Sequence, residues 1–577
     1  MIRSFFALFL TLLGVSAQET MIRETFDPKT DTHVEVTALF TKPAPAGYFP
    51  VRVKIANNLK NDRSIRLSFE SRAGYYGSGL TTNSSFSFTA PAGRTVTTDI
   101  VVPTAPVGGS GDTCMITVNM SGSLGGASNT LSSGFGNNQP VVLLSEALFT
   151  PNASTLDSQV SSHFSGSSYR SSSEFSGKFD PKQTPDDWRA YSGYDSILMT
   201  DGDWANVPPG ARNAILSWVR LGGQLVIYTS TGATTATLGL PQDASFGEIA
   251  IESINSSNAL DASDTISLVT KRRTEPRQTS LRGDFDGGWP LQSLFGSRAF
   301  HYALFIFVLI IFGVLVGPVN LFVFAKSGQR HRLFITTPLI SLGASIVLIG
   351  MIILQDGFGG NGKRLVLMEV RPDAGQNAAF IHQEQVCRTG VLTGSRFTVD
   401  APCLINPVPI ADSRWARLTN SYDSGGSFNL QPEAGKLSAS GDWFQSRSEH
   451  GHALTAVLST RGRIEATADP EILISTFEFP IETLFYQDDA GKWHRADKIE
   501  RGKRFTITPV EATMVDPLIK KQAGQFTKRL RVQMMKVAER RGHFIAITKA
   551  APAIETLPGI DWDETQTVIT GPIAKSN

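Results

Sequence analysis

At 577 residues the chain has room for three or four domains, and its charged fraction of 18% is low for a wholly water-exposed protein. A formal net charge of +1 provides no basic field and argues against a nucleic-acid-binding role. The three cysteines, Cys114, Cys387 and Cys403, have neither CxxC nor metal-ligand spacing, so thiol redox and zinc chemistry lack a motif.

Arg3 precedes an apolar stretch from Phe5 to Val15, and Val15-Ser16-Ala17 has the small-x-small pattern of a signal peptidase site. Residues 1–17 are expected to be a signal peptide, with the mature chain starting near Gln18. From Thr32 to Val118 the hydrophobic period is two: Val51, Val53 and Ile55, then Ile65, Leu67 and Phe69, then Ile116, Val118 and Met120, with Cys114 in step. Turn clusters at Asn57–Asp62 and Pro91–Gly93 separate the runs, which predicts an all-β sandwich over residues 18–120. The segment Phe88–Pro103 resembles the late hairpin of immunoglobulin-like modules in exported bacterial proteins. Ser, Gly and Asn dominate residues 121–138, which read as a flexible linker.

Beyond the linker, continuous apolar runs at Pro140–Ser145, Tyr194–Thr200 and Gln224–Thr229 read as buried parallel strands. Between the last two, Ala211, Ile215, Trp218 and Val219 recur at helical spacing, with Pro208-Pro209 at the start and Gly222-Gly223 at the end. Strand, helix and strand in this order form a βαβ unit, so an α/β domain is expected over residues 139–250, followed by a connecting segment over 251–299.

Residues 300–325 and 333–354 are apolar and contain no Asp, Glu, Lys or Arg. Each is long enough, at about 1.5 Å per residue, to cross a hydrocarbon core of about 30 Å. They predict a transmembrane hairpin around a short loop, residues 326–332, that carries Lys326, Arg330 and Arg332. An exported N-terminus makes that loop cytoplasmic and puts both large halves on the extracytoplasmic side. Pro318 is expected to kink or loosen the first helix, and Asn320 to seek a hydrogen-bond partner on the second.

Residues 355–577 return to strand patterns, among them Arg364–Val370, Ile472–Phe479, Leu484–Gln487, Phe505–Thr508 and Phe544–Thr548, and read as a β-rich domain. Within it, Asp516–Arg541 reads as one basic amphipathic helix, which either lies on anionic headgroups or packs on the sheet with a solvated basic face. Cys387 and Cys403 are close enough in sequence to form a disulfide, though proximity does not fix their geometry.

Five residue groups invite a chemical reading. Ser230 follows a strand, but the G-x-S-x-G pattern is absent and His163 is the single histidine of that domain. Asp201-Gly202-Asp203 sits where open α/β sheets bind ligands, or else caps a helix. Arg282-Gly283-Asp284-Phe285-Asp286-Gly287-Gly288 has some features of a calcium loop without its third spaced acid and distant Glu. On a strand, His450 and His452 share a face beside Glu449, as metal ligands or as a polar strand entry. Cys114 reads as a buried strand residue. None of these qualifies as a catalytic residue, a cofactor ligand or a metal site.

Tyr194–Thr229, with Trp218, Val219, Gly222 and Gly223, resembles class I glutamine amidotransferase-like (flavodoxin-like) domains. That family's catalytic members use a cysteine, and this chain has none between Cys114 and Cys387. Together with Gly317-Pro318-Val319-Asn320, Thr336-Thr337-Pro338 and Trp443–Arg447, the arrangement resembles a family of uncharacterised bacterial two-helix membrane proteins. The resemblance implies a multidomain inner-membrane protein: β-sandwich, α/β flavodoxin-like domain, two-helix hairpin and C-terminal β-rich domain. The expected function is a non-catalytic scaffold or accessory subunit of a cell-envelope complex, with the lipid bilayer and other envelope proteins as partners. A divergent hydrolase and a glycan- or ligand-binding module are the alternatives.

Overall fold

The computed structural model describes residues 19–73, 79–106, 113–135, 139–164, 174–271, 274–285, 288–296, 302–325, 327–372, 377–411, 413, 415–416, 418, 425–433 and 435–574. The expected signal peptide lies outside them. The chain divides into two compact units, residues up to 278 and from 279 onward, with 78–80 and 273–275 counted to the second.

The first unit opens with strands β1 (Glu19–Asp27), β2 (Thr32–Ala38), β3 (Tyr48–Asn57), β4 (Arg63–Ala73), β5 (Leu80–Ala90), β6 (Arg94–Pro103), β7 (Cys114–Gly122) and β8 (Ala127–Ser133). One antiparallel sheet runs β1-β2-β3-β6, and a second contains β5-β4-β7-β8 in that order. The period-two residues point inward: Val34, Val36, Val51, Val53, Ile55, Leu67, Ile116 and Val118 are all buried. The expected linker is corrected here. Residues 121–122 end β7, and β8 pairs along it from Cys114↔Ser133 to Met120↔Ala127. Leu131 and Ser133 face inward while Ser128, Asn129, Thr130 and Ser132 are exposed, so an edge strand reads in sequence as a polar spacer.

The α/β layer follows: β9 (Val142–Ser145), α1 (Glu146–Phe164), β10 (Ser176–Phe179), β11 (Ser196–Thr200), α2 (Asp201–Asn206), α3 (Pro209–Arg220), β12 (Gln224–Thr229), β13 (Glu248–Ser253) and α4 (Ala262–Thr270). Its five strands are all parallel, in the order β10-β9-β11-β12-β13. Counted along the chain, that is 2-1-3-4-5. The layer does not stop at residue 250, because Ala262, Ile266 and Val269 of α4 share a core with Leu148, Leu156 and Val160 of α1.

In the second unit, α5 (Pro290–Phe295) leads to α6 (Tyr302–Val314), a π-helical stretch over Leu315–Phe324, and α7 (Leu333–Asp356). Pro318 lies inside the π stretch. A proline has no N–H for the i→i−4 ladder and its ring crowds the preceding turn, so a wider winding relieves both problems. Two helical segments, Ile306–Phe324 and Arg330–Leu354, are long and apolar enough to cross a membrane.

A nine-stranded sheet follows, made of β14 (Gly360–Arg371), β15 (Ala378–Thr389), β16 (Cys403–Val408), β17 (Glu449–Ser459), β18 (Ile481–Gln487), β19 (Trp493–Ile499), β20 (Thr508–Val510), β21 (His543–Thr548) and β22 (Ile560–Pro572). The order is β16-β17-β15-β14-β22-β21-β18-β19-β20. Only β14 and β22 pair in parallel. Val366, Met368, Ile381 and Cys387 enter the main core on one face. In place of one long amphipathic helix there are two, α8 (Ala512–Ala523) and α9 (Lys528–Ala538), broken between Gly524 and Thr527. Val515, Ile519, Leu530, Met534 and Val537 are buried, whereas Leu518 is exposed.

The sheet also decides the disulfide question. Strand β17 lies between β15 and β16, with Cys387 opposite His450 and Cys403 opposite Ala456. Two strand spacings, about 10 Å, exceed the Cα reach of a disulfide. All three cysteines are free and buried.

Candidate functional site

At the carboxyl edge of the parallel sheet the ends of β9, β11 and β12 bring together Ser145, Thr200, Asp201, Asp203, Thr229 and Thr231. The Asp203 carboxylate accepts from Ser145 Oγ at 2.6 Å and from the Thr200 N–H at 3.2 Å, while Thr200 Oγ1 accepts from the Asp203 N–H at 3.0 Å. This reciprocal pair is a capping box at the start of α2. Asp201 Oδ2 accepts from Thr229 Oγ1 at 2.7 Å and from Thr231 Oγ1 at 3.2 Å, and Asp201 Oδ1 takes the Gly202 N–H at 2.8 Å. Asp203 thus ties the start of α2 to the end of β9, and Asp201, the first residue of α2, ties it to the end of β12. Of the two sequence readings, capping holds for Asp203, while Asp201 serves neither as a cap nor as a ligand site but as a strand-to-helix tie.

Ser230 is exposed just past β12. His163 sits in the last turn of α1, a 19-residue helix that starts at the carboxyl edge and returns toward the amino edge. At about 1.5 Å per residue that is roughly 28 Å of travel, so the fold does not bring the two together. A thiol nucleophile is also remote: burial pushes the Cys114 thiol up to about 12, and Ser71 Oγ at 3.9 Å offsets little of that.

Asn320, fully buried among exposed apolar neighbours, donates from Nδ2 to Thr337 Oγ1 at 2.9 Å and accepts from Thr336 Oγ1 at 2.6 Å. The expected partner on the second helix is thus a pair of threonines. Lys326, one of the loop's basic residues, lies outside the described residues.

In the second unit, His450 and His452 do share a face of β17, their rings 6.3 Å apart at 12°. Both turn toward the backbone of the Trp443–Arg447 turn: His450 Nε2 accepts from the Gln445 N–H at 3.0 Å, and His452 Nε2 meets the Trp443 carbonyl at 3.0 Å. Burial, then the neighbouring His450, lowers the His452 pKa to about 3, so the ring is neutral at physiological pH. His450 and His452 border a cavity of about 30 Å3, room for a water or two and too small for an organic ligand. Glu449 is held by Arg388 at 2.7 Å and by Ser413.

The sequence reading missed Glu384. The run His382-Gln383-Glu384-Gln385 lies in the middle of β15 and is buried throughout. Glu384 Oε2 accepts from Trp289 Nε1 at 2.9 Å, its Oε1 accepts from the Thr527 N–H at 3.2 Å, and the Thr527 hydroxyl donates to Oε1 as well. Burial raises this carboxyl to about 7 despite the three donors, with the negative Asp284 adding to the rise. Thr527 is the N-cap residue of α9, but its hydroxyl makes no cap. Asp284 caps from outside instead, its Oδ2 accepting from the Arg529 N–H at 2.9 Å. Of the calcium-like segment, Asp284 is thereby a helix cap, and Asp286 lies outside the described residues. Four polar residues between Phe380-Ile381 and Val386-Cys387 were the available sequence signal.

No protein-family model matches the chain, and no curated protein matches it in sequence. Among solved structures, similarity is found to a DUF1425 family member from Shewanella sp. pv-4, 20% identical over 17% of this chain and 94% of that one, with a TM-score of 0.12. A cycloisomaltooligosaccharide glucanotransferase from Paenibacillus sp. is 12% identical over 33% of this chain and 27% of that one, TM-score 0.16. A glycosyl hydrolase family 2 member from Bacteroides cellulosilyticus DSM 14838 is 8% identical over 93% and 78%, TM-score 0.18. These scores are too low for a shared fold.

Proposed function

We propose that this protein is a non-catalytic, membrane-anchored scaffold or accessory subunit of a cell-envelope complex, held in the inner membrane by its helix pair with both large halves extracytoplasmic. The observation that carries the reading is the exposure of the helix pair's apolar side chains: Phe307, Ile310, Phe322, Phe334, Leu339 and Leu354 are between 59% and 89% exposed. Such a surface is stable in lipid and costly in water. The basic loop residues and the signal-like segment near Arg3 support the orientation.

The parallel strand order 2-1-3-4-5 supports a flavodoxin-like assignment for the α/β layer, and the two antiparallel sheets before it support an immunoglobulin-like sandwich. The amidotransferase-like resemblance of Tyr194–Thr229 fits the same layer. With no cysteine there, and with Asp203 in a capping box and Asp201 bonded to Thr229 and Thr231, a binding role suits the layer better than catalysis. Chemical crosslinking in membranes followed by purification in mild detergent is expected to recover other envelope proteins in fixed ratio. An absence of partners together with covalent labelling of Ser230 by a serine-directed probe would support a hydrolase instead.

A further inference from the structure

Both ends of the hairpin attach at one end of the interior strands β14 and β15 of the nine-stranded sheet. On the entry side, the Gly296 carbonyl accepts from Arg388 Nη2 at 3.1 Å, and the Arg388 guanidinium lies over the Phe295 ring at 4.7 Å. On the exit side, α7 ends at Asp356 and the chain joins the sheet at once: the Val391 N–H donates to the Gly357 carbonyl at 2.9 Å, and the Gly359 N–H donates to the Val391 carbonyl at 3.1 Å. Phe358 forms a parallel bridge with Val391, and Gly360 pairs with Thr389, one step from Arg388. The sheet therefore grips both tethers within Arg388–Val391.

Exposed apolar side chains mark the same end. Phe358 is 67% exposed although its backbone is bridged, and Leu294, in the last turn of α5, is 56% exposed. The 24 residues of α7 span roughly 36 Å, a little more than a hydrocarbon core of about 30 Å. The end of α7 thus reaches the interface, and Phe358 follows within about 7 Å of extended chain. Interfacial segments bury Trp, Phe and Leu side chains about 5–10 Å into the headgroup–acyl boundary.

We propose that the Gly296/Phe358 end of the C-terminal domain is a lipid-docking surface, with Leu294 and Phe358 seated in the headgroup layer of the bilayer that holds the hairpin. This rests on the transmembrane reading of α6 and α7. The domain is then a fixed pedestal rather than a tethered body, its opposite end, at the Asp488–Lys492 turn, held away from the membrane.

The test attaches an environment-sensitive dye to Leu294→Cys, Phe358→Cys, Asp489→Cys and Phe322→Cys in turn, in the full chain reconstituted into liposomes containing nitroxide lipids. The native cysteines are buried, so labelling goes to the introduced thiol. Headgroup-level nitroxides are expected to quench the dyes at 294 and 358 several-fold more than the dye at 489, and deep acyl-chain nitroxides to quench the dye at 322. Pro558→Cys, exposed beside the Gly559 that pairs with Gly360, provides a further site at the docked end should a labelled variant fold poorly. Quenching at 322 with none at 294, 358 or 558 above that at 489 overturns the docking surface while leaving the hairpin intact. No quenching at 322 overturns the hairpin and the docking surface together.

Discussion

Trp289 donates its indole N–H to the Glu384 carboxylate across 2.9 Å, tying the segment that leads into the hairpin to the middle of the nine-stranded sheet. The same carboxylate receives Thr527 from the break between α8 and α9. One buried acid thus joins three stretches that are far apart in sequence.

This arrangement makes stability depend on pH. The Glu384 carboxyl titrates at about 7 in the fold against 4.5 for the unfolded group, so the fold favours its neutral form. Below about pH 4.5 both states are neutral at this position, and above about pH 7 both are ionised with only the native one burying the charge. Its contribution therefore falls as pH rises from 4.5 to 7, by about 3 kcal/mol at most. Glu384→Gln is expected to flatten that window in chemical denaturation of the detergent-solubilised protein. An unchanged pH profile would show that Glu384 does not titrate there.

His452 acts in the opposite direction. Its pKa is lowered to about 3 from 6.5, so the neutral ring's contribution is complete above pH 6.5 and is lost as pH falls toward 3. The loss approaches about 5 kcal/mol if the fold holds that far. Replacing His452 by Gln should cost stability at pH 7 and make the variant less acid-sensitive than the parent, as read from unfolding midpoints at pH 7 and pH 4.

Between the two long apolar helices, Asn320→Leu removes the hydrogen bonds to Thr336 and Thr337. The expected loss is about 1 kcal/mol in detergent-induced unfolding. Thr336→Val combined with Thr337→Val should cost a similar amount, and all three together little more than either, because they remove the same bonds.

Packing around the α3 stop gives a fourth check. A Cβ at Gly223 would lie 2.4 Å from the Trp218 ring, whereas one at Gly202, inside α2, meets nothing closer than 3.7 Å. Gly223→Ala is expected to destabilise by about 1–3 kcal/mol through overpacking. Gly202→Ala should be neutral or stabilising by up to about 1 kcal/mol, since alanine is the better helix former. Thermal unfolding of the two variants side by side separates the effects.

The features legible in the sequence were those written in local periodicity. The apolar helices, the strand-helix-strand run over Tyr194–Thr229 and the search of Asn320 for a partner on the second helix all follow from neighbours a few residues apart. Features set by tertiary context were hidden. Helix α1 carries Pro151 and many Ser and Thr residues, so its apolar face is faint. Strand β8 packs at an edge with Leu131 as its one large apolar residue, and so resembles a spacer. At the break between α8 and α9, Thr527 turns its hydroxyl to Glu384, a contact across 143 residues that no local pattern encodes. The capping box of Thr200 and Asp203 is local, three residues apart, whereas the tie from Asp201 to Thr229 and Thr231 appears only when β11 and β12 are set side by side.

Membrane topology tests the central claim most directly. A reporter active only outside the cytoplasm should be silent when inserted at Gly328 and active when fused after Asn577, with a cytoplasm-active reporter giving the reverse pattern. Activity of the extracytoplasmic reporter at Gly328, or its silence after Asn577, would contradict a hairpin that returns the chain outward, and with it the proposed envelope scaffold.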